Sequence, residues 1–129
     1  MGESLAILLV EDNLLNQRIV TFSLKKYNHE VVIANNGVEA IEHFSQRKFD
    51  VILMDIMMPV MDGLEATIKI RELENKNKIE KRTPIIALTA NTMDNDRDKC
   101  ISYGMDEFMA KPFDIEKLNS IFDELKIPS

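Results

Sequence analysis

Five times along the chain a short apolar, β-prone run gives way to a helical pattern, and this alternation constrains the fold more than any other feature. The runs are LAILLV (5–10), VVIA (31–34), VILMD (51–55), PIIALT (84–89) and DEFMA (106–110). Continuous runs without polar alternation are expected of strands covered on both faces. Between them the spacing predicts a helix over 14–27, with Leu15, Ile19 and Phe22 in line and Val20, Leu24 and Tyr27 broadening the stripe. A second helix follows the Asn35-Asn36-Gly37 turn signal and carries Val38, Ile41 and Phe44. A third runs from about Leu64 to Glu72 after Asp62-Gly63. A polar helix spans 91–104 and ends at Gly104, and an amphipathic one covers 114–126 with Leu118, Ile121, Phe122 and Leu125. Strands alternating with helices mean parallel βαβ units, an α/β fold with helices on both faces of a doubly wound sheet. Right-handed crossovers then bring every strand's C-terminal end to one edge, where such sheets bind ligands.

The residues at that edge are Glu11 and Asp12 after the first strand, Asp55 at the end of the third, Thr89 at the end of the fourth and Lys111 after the fifth. Each has a plain explanation alone: Asp12 or Asn13 can cap the first helix, and Lys111 can be a solvated turn lysine. Together they are harder to dismiss. Carboxylates about 4 Å apart at an effective dielectric of about 20 repel by roughly 4 kcal/mol per pair, so either their pKa values rise or a cation binds. An all-oxygen donor set favours a hard ion, Mg²⁺ over Zn²⁺. With a hydroxyl at Thr89 and an ammonium at Lys111, the edge has the parts for phosphoryl transfer, and Asp55 is the best nucleophile candidate.

The stretches LLVEDNLLNQ, DVILMDIMMPVMDGLEA, PIIALTAN and GMDEFMAKPF resemble, in order and spacing, two-component response-regulator receiver domains, over residues 4–126. VEDNLLNQ, PVMDGLEA and ALTAN are most similar to receivers of hybrid histidine kinases. The resemblance implies a flavodoxin-like (βα)5 fold with a five-stranded parallel sheet in the order 2-1-3-4-5, as one receiver domain over residues 1–129. It implies that Asp55 accepts a phosphoryl group from a phosphohistidine, and that Glu11, Asp12, Asp55 and the Met57 carbonyl form the Mg²⁺ site. Thr89 and Lys111 would contact the phosphoryl group, with Thr89 and Phe108 as switch residues. Phe108 lacks the hydroxyl of a tyrosine there, so its switch would rest on packing. Met57 and Asn91 flank the site; apolar Met57 would orient an attacking water poorly and slow self-hydrolysis. A cis Lys111–Pro112 bond is also implied.

Partners by this resemblance are a histidine kinase or a histidine phosphotransfer domain, docking on the first helix. Core packing is expected to explain Ile19 and Phe22, leaving Leu14, Leu15 and Arg18 as interface residues. The alternatives are a stand-alone single-domain regulator or a Mg²⁺-dependent aspartyl-phosphate phosphatase. Such phosphatases carry a second Asp two residues after the nucleophile, and here that position is Met57. A flavin-binding fold of the same topology is disfavoured because Glu11-Asp12 would repel a phosphate. The chain is thus expected to be a switch that assists its own phosphorylation and not a turnover enzyme, although a longer chain containing it would be a histidine kinase.

Composition narrows the rest. A formal charge of −6 without a basic face argues against nucleic acid as a direct partner. Cys100 is the only cysteine, which excludes a disulfide framework and suits a reducing cytoplasm. No apolar run approaches the ~18 residues of a membrane span, and the first residues lack a signal peptide's pattern. The charged stretch ELENKNKIEKR (72–82) reads as a solvated helix end and loop, His29 and His43 as surface or loop residues, Cys100 as structural, and 94–99 as a solvated helix face.

Overall fold

The computed structural model describes residues 4–56, 61–78, 82–89, 94–111, 113–125 and 127, with residues 94–97 described by backbone alone. Five strands, β1 (Ala6–Val10), β2 (Glu30–Ala34), β3 (Val51–Asp55), β4 (Ile85–Thr89) and β5 (Glu107–Ala110), alternate with α1 (Leu14–Lys25), α2 (Gly37–Gln46), α3 (Gly63–Lys76), α4 (Asp94–Ser102) and α5 (Ile115–Glu124). All pairings are parallel and the sheet order is β2-β1-β3-β4-β5, the order expected of a flavodoxin-like fold. The central strands β3 and β4 are buried at every residue, as their unbroken apolar runs require.

Side-chain alternation along the strands divides the core in two. Ile7, Leu9, Val51, Leu53, Ile86 and Leu88 face Val20 and Leu24 of α1 and Leu118, Ile121 and Phe122 of α5. Leu8, Val10, Ile52, Met54, Ile85 and Ala87 face α2, α3 and α4 through residues such as Ala40, Ile70 and Cys100. Cys100 is therefore a core residue, as expected. Gly104 takes φ 108°, the left-handed conformation expected just past a helix end. Among the described residues no helix is long and apolar enough to cross a membrane.

Three expectations are corrected. The first concerns α1, which ends at Lys25 because the chain turns at Asn28 (φ 64°) while the Leu24 carbonyl accepts from both Tyr27 and His29. Its buried face is Gln17, Val20 and Leu24, whereas Ile19 is 47% and Phe22 63% exposed, so core packing does not explain them. The helix carries two apolar stripes of similar spacing, and only one can face the sheet.

The second is His29, which is buried rather than at the surface. Its Nδ1 accepts the Leu5 amide at 3.0 Å and its ring packs between Tyr27 and Phe122. Burial lowers its pKa below the usual 6.5, against a smaller opposing pull from Asp50.

The third is the stretch 72–82. The helix α3 continues to Lys76, and Glu74 within it is buried. Arg71 donates to Glu74 at 2.7 Å, to the carbonyls of Thr83 and Gly104 at 2.8 and 2.9 Å, and to Asp106 at 2.8 Å. Glu74 accepts the Thr83 amide at 2.6 Å, and Arg82 joins Asp106 at 2.7 Å. These bonds fasten the end of α3 to the entries of β4 and β5, at the pole opposite the strands' C-terminal ends.

Candidate functional site

The parallel sheet delivers its polar residues to one edge. Beyond Val10 the Glu11 amide donates to the Ala34 carbonyl at 3.0 Å, which carries the ladder one residue past β1 and holds the Glu11 side chain inside. The helix α1 is capped by Asn13, whose Oδ1 accepts the Asn16 amide at 2.9 Å. Of the two capping candidates it is therefore Asn13 that serves, and Asp12 stands exposed at the edge.

Asp55 closes β3 and is 3% exposed. In register it lies beside Leu88, so Thr89 projects from the next position of the neighbouring strand. The Lys111 amide donates to the Thr89 carbonyl at 2.8 Å, which brings the lysine back over the edge. Its ammonium lies 3.2 Å from Asp55 Oδ2 and 3.3 Å from Glu11 Oε1. Carboxylate oxygens of Glu11, Asp12 and Asp55 all lie within 4.8 Å of one another. Of the expected site residues, then, Glu11, Asp12, Asp55 and Lys111 form one cluster, with buried Thr89 on the same edge. Phe108 sits in β5 beside Ala87, half-buried against the α2–α4 side of the core. Met57, Asn91 and Pro112 lie outside the described residues.

The start of α3 shapes the back wall. Asp62 caps the helix by accepting the Glu65 amide at 2.9 Å, and the Gly63 amide donates to the Ile56 carbonyl at 3.0 Å. A Cβ on Gly63 would fall 2.3 Å from the Asp55 carbonyl oxygen, so this position admits no side chain without displacing the backbone of Asp55.

Among the described residues, three carboxylates crowd around one ammonium, so negative charge predominates at this edge. The strain is visible at Glu11, whose pKa is raised above 4.5, first by burial and then by its contact with Asp55, against the Asn13 amide and Lys111. Burial alone would lower the Lys111 ammonium, but Asp55 and then Glu11 outweigh it and its pKa is raised. A doubly charged hard cation satisfies such a set, and the all-oxygen donors present fit Mg²⁺.

Two neighbours escaped the sequence reading. Gln17 is buried and donates through Nε2 to the Glu11 carbonyl at 2.6 Å and to Asn35 Oδ1 at 2.8 Å. Asn35 in turn donates twice to Glu39 Oε1, each at 3.0 Å. The 17, 20, 24 spacing was the signal available for Gln17, since it puts a polar residue on the same face as Val20 and Leu24.

Comparison with known proteins agrees with this arrangement. The family model of the response regulator receiver domain matches residues 7–123. Hybrid signal transduction histidine kinase B of Dictyostelium discoideum is 48% identical over 113 residues, covering 82% of this chain and 6% of that kinase. The chain spans between 5% and 15% of the length of such curated relatives. Among solved structures, the receiver domain of sensor histidine kinase PA1611 from Pseudomonas aeruginosa PAO1, with magnesium coordinated in its active-site cleft, is similar at TM-score 0.82 and 39% identity, covering 95% of this chain and 97% of that one. The Saccharomyces cerevisiae complex of the histidine phosphotransfer protein Ypd1 with the receiver domain of Ssk1 matches at TM-score 0.86 and 30% identity, covering 96% and 90%. The strand order, the acidic cluster around Asp55 and these matches lead to one conclusion: the chain belongs to the response regulator receiver domain family.

Proposed function

We propose that the chain is one receiver unit in a phosphorelay, with Asp55 as the phosphoryl acceptor. The observation that carries this reading is the buried Asp55 carboxylate, ion-paired to Lys111 within the acidic cluster. An Asp55 oxygen attacks the phosphorus of a phosphohistidine, an O–P bond forms as the N–P bond breaks, and the imidazole leaves with the electron pair. Lys111 and the Thr89 hydroxyl stand at the same edge to balance charge on the phosphoryl oxygens. Glu11, Asp12 and Asp55, with the Met57 carbonyl, would hold Mg²⁺, which when bound neutralises charge on the transferring group. Thr89 and Phe108 act as the switch, and the chain works as a signalling module in the cytoplasm and not as a turnover enzyme.

The partner is a histidine kinase or histidine phosphotransfer domain, docking on α1. Leu14, Leu15, Ile19 and Phe22 are each 47–66% exposed there, a contiguous apolar surface on a helix with no acidic residue. Ile19 and Phe22 thus join Leu14, Leu15 and Arg18 as contact residues. Support for such a partner comes from the Ypd1–Ssk1 complex.

The test is phosphorylation by acetyl phosphate or a phosphorylated histidine domain with Mg²⁺. A mass gain of about 80 Da, the size of one phosphoryl group, is expected, and EDTA or Asp55→Asn should abolish it. Undiminished labelling of Asp55→Asn would sink the assignment. Phe22→Ala should slow transfer from the protein donor while leaving acetyl phosphate labelling unchanged.

A further inference from the structure

We propose that Gln17 is the positioning residue that holds the Glu11–Asp12 corner in its metal-binding shape, tying it through Asn35 to the start of α2; this rests on the Mg²⁺ site of the preceding reading.

The donor sense of its side chain is fixed by chemistry. The Glu11 carbonyl can only accept, so the group 2.6 Å from it must be the NH₂ of Gln17. Its second N–H reaches Asn35 Oδ1 at 2.8 Å, and the Asn35 amide is held in that orientation because its own Nδ2 donates to Glu39 Oε1 at 3.0 Å. Glu39 belongs to the first turn of α2, whose cap, Asn36, accepts the Glu39 amide at 2.9 Å. One buried amide therefore joins α1, the end of β1 and the β2–α2 turn.

The Glu11 carbonyl shares a peptide plane with the Asp12 amide, and that plane sets the direction in which Asp12 leaves the strand. Its other restraints act on Glu11 itself: the Ala34 carbonyl takes the Glu11 amide, and the Asn13 amide and Lys111 take the Glu11 carboxylate. Of these contacts, Gln17 alone holds the carbonyl. An exposed carboxylate such as Asp12 has many rotamers open to it, and a fixed peptide plane narrows where its oxygens fall. Groups that orient metal ligands from behind typically account for 10- to 100-fold in metal affinity.

The experiment compares Mg²⁺ affinity, by calorimetry or NMR titration, in the unaltered chain, Gln17→Leu and Asn35→Ala. Gln17→Leu keeps the buried bulk and removes both donors. The expected result is a Kd raised 10- to 100-fold, with acetyl phosphate labelling recovering the unaltered rate at saturating Mg²⁺, because the chemistry of Asp55 is untouched. Asn35→Ala keeps the Glu11 contact and should raise the Kd less, by about threefold. A folded Gln17→Leu whose Kd stays within twofold overturns the proposal, as does labelling that remains slow at saturating Mg²⁺. Should Gln17→Leu not fold, an unchanged Kd in Asn35→Ala overturns it instead. If the unaltered chain binds no Mg²⁺, the proposed function fails and this inference falls with it, which separates the two failures.

Discussion

Replacing Lys111 with methionine tests the electrostatics of the site at its centre. The ammonium lies 3.2 Å from Asp55 and 3.3 Å from Glu11. At an effective dielectric of about 20, each contact is worth about 5 kcal/mol before desolvation, so a simple count gives a loss near 10. That figure is an overestimate, because a buried carboxylate left without its cation takes up a proton instead. Protonating one carboxyl of ordinary pKa 4.5, that of Glu11, costs about 3.4 kcal/mol at pH 7 and about 1.4 kcal/mol at pH 5.5, at 1.36 kcal/mol per pKa unit. These values cap the destabilisation. Lys111→Met should therefore lose about 2–3 kcal/mol near pH 7 and about 1 kcal/mol near pH 5.5, measured by urea unfolding in EDTA. The sign follows from Glu11: its folded pKa is raised, so its contribution to stability is full below 4.5 and fades as pH rises through the folded value. Removing Lys111 raises that pKa further and steepens the fall. Millimolar Mg²⁺ should restore part of the loss, since a bound cation stabilises the folded state by mass action. An equal loss at both pH values would refute this reasoning and assign the effect to the packing of the lysine stem.

Other perturbations follow from the same geometry. Gly63→Ala puts a methyl group 2.3 Å from the Asp55 carbonyl, and should cost about 1–3 kcal/mol in urea unfolding and slow acetyl phosphate labelling. Arg71→Met strips a 13%-exposed guanidinium from Glu74 and Asp106; a loss of about 3 kcal/mol is expected, seen as a lower urea midpoint at unchanged m-value. His29 has a lowered folded pKa, so its contribution is present above 6.5 and lost as pH falls below that value; His29→Gln should flatten this arm of the stability curve.

The strands and their shared edge were legible because buried parallel strands leave unbroken apolar runs, and because parallel connection alone decides which ends meet. Asp55, Glu11, Asp12, Thr89 and Lys111 could be gathered from scattered positions on that basis. The two faces of α1 were not legible in the same way. Leu15, Ile19 and Phe22 repeat at helical spacing just as Gln17, Val20 and Leu24 do on the other side, and periodicity does not say which stripe meets the sheet. Gln17 could not be singled out because its partners, Glu11 and Asn35, come from two other elements. The stretch 72–82 looked solvated for a similar reason, since Glu74 and Arg82 are satisfied by Thr83 and Asp106 across the fold.

The exposed stripe on α1 also governs how the chain behaves in solution. Its charge of −6 keeps copies apart near neutral pH, but that repulsion vanishes near the pI of about 4.9. Leu14, Leu15, Ile19 and Phe22 remain exposed there, flanked by Arg18, Lys25 and Lys26, which attract the acidic remainder of another copy. Solubility should therefore fall sharply around pH 5 and recover in Phe22→Ser, the background on which the acidic end of any pH series is best measured. An apolar surface left exposed makes colloidal stability depend on charge or on whatever comes to cover it.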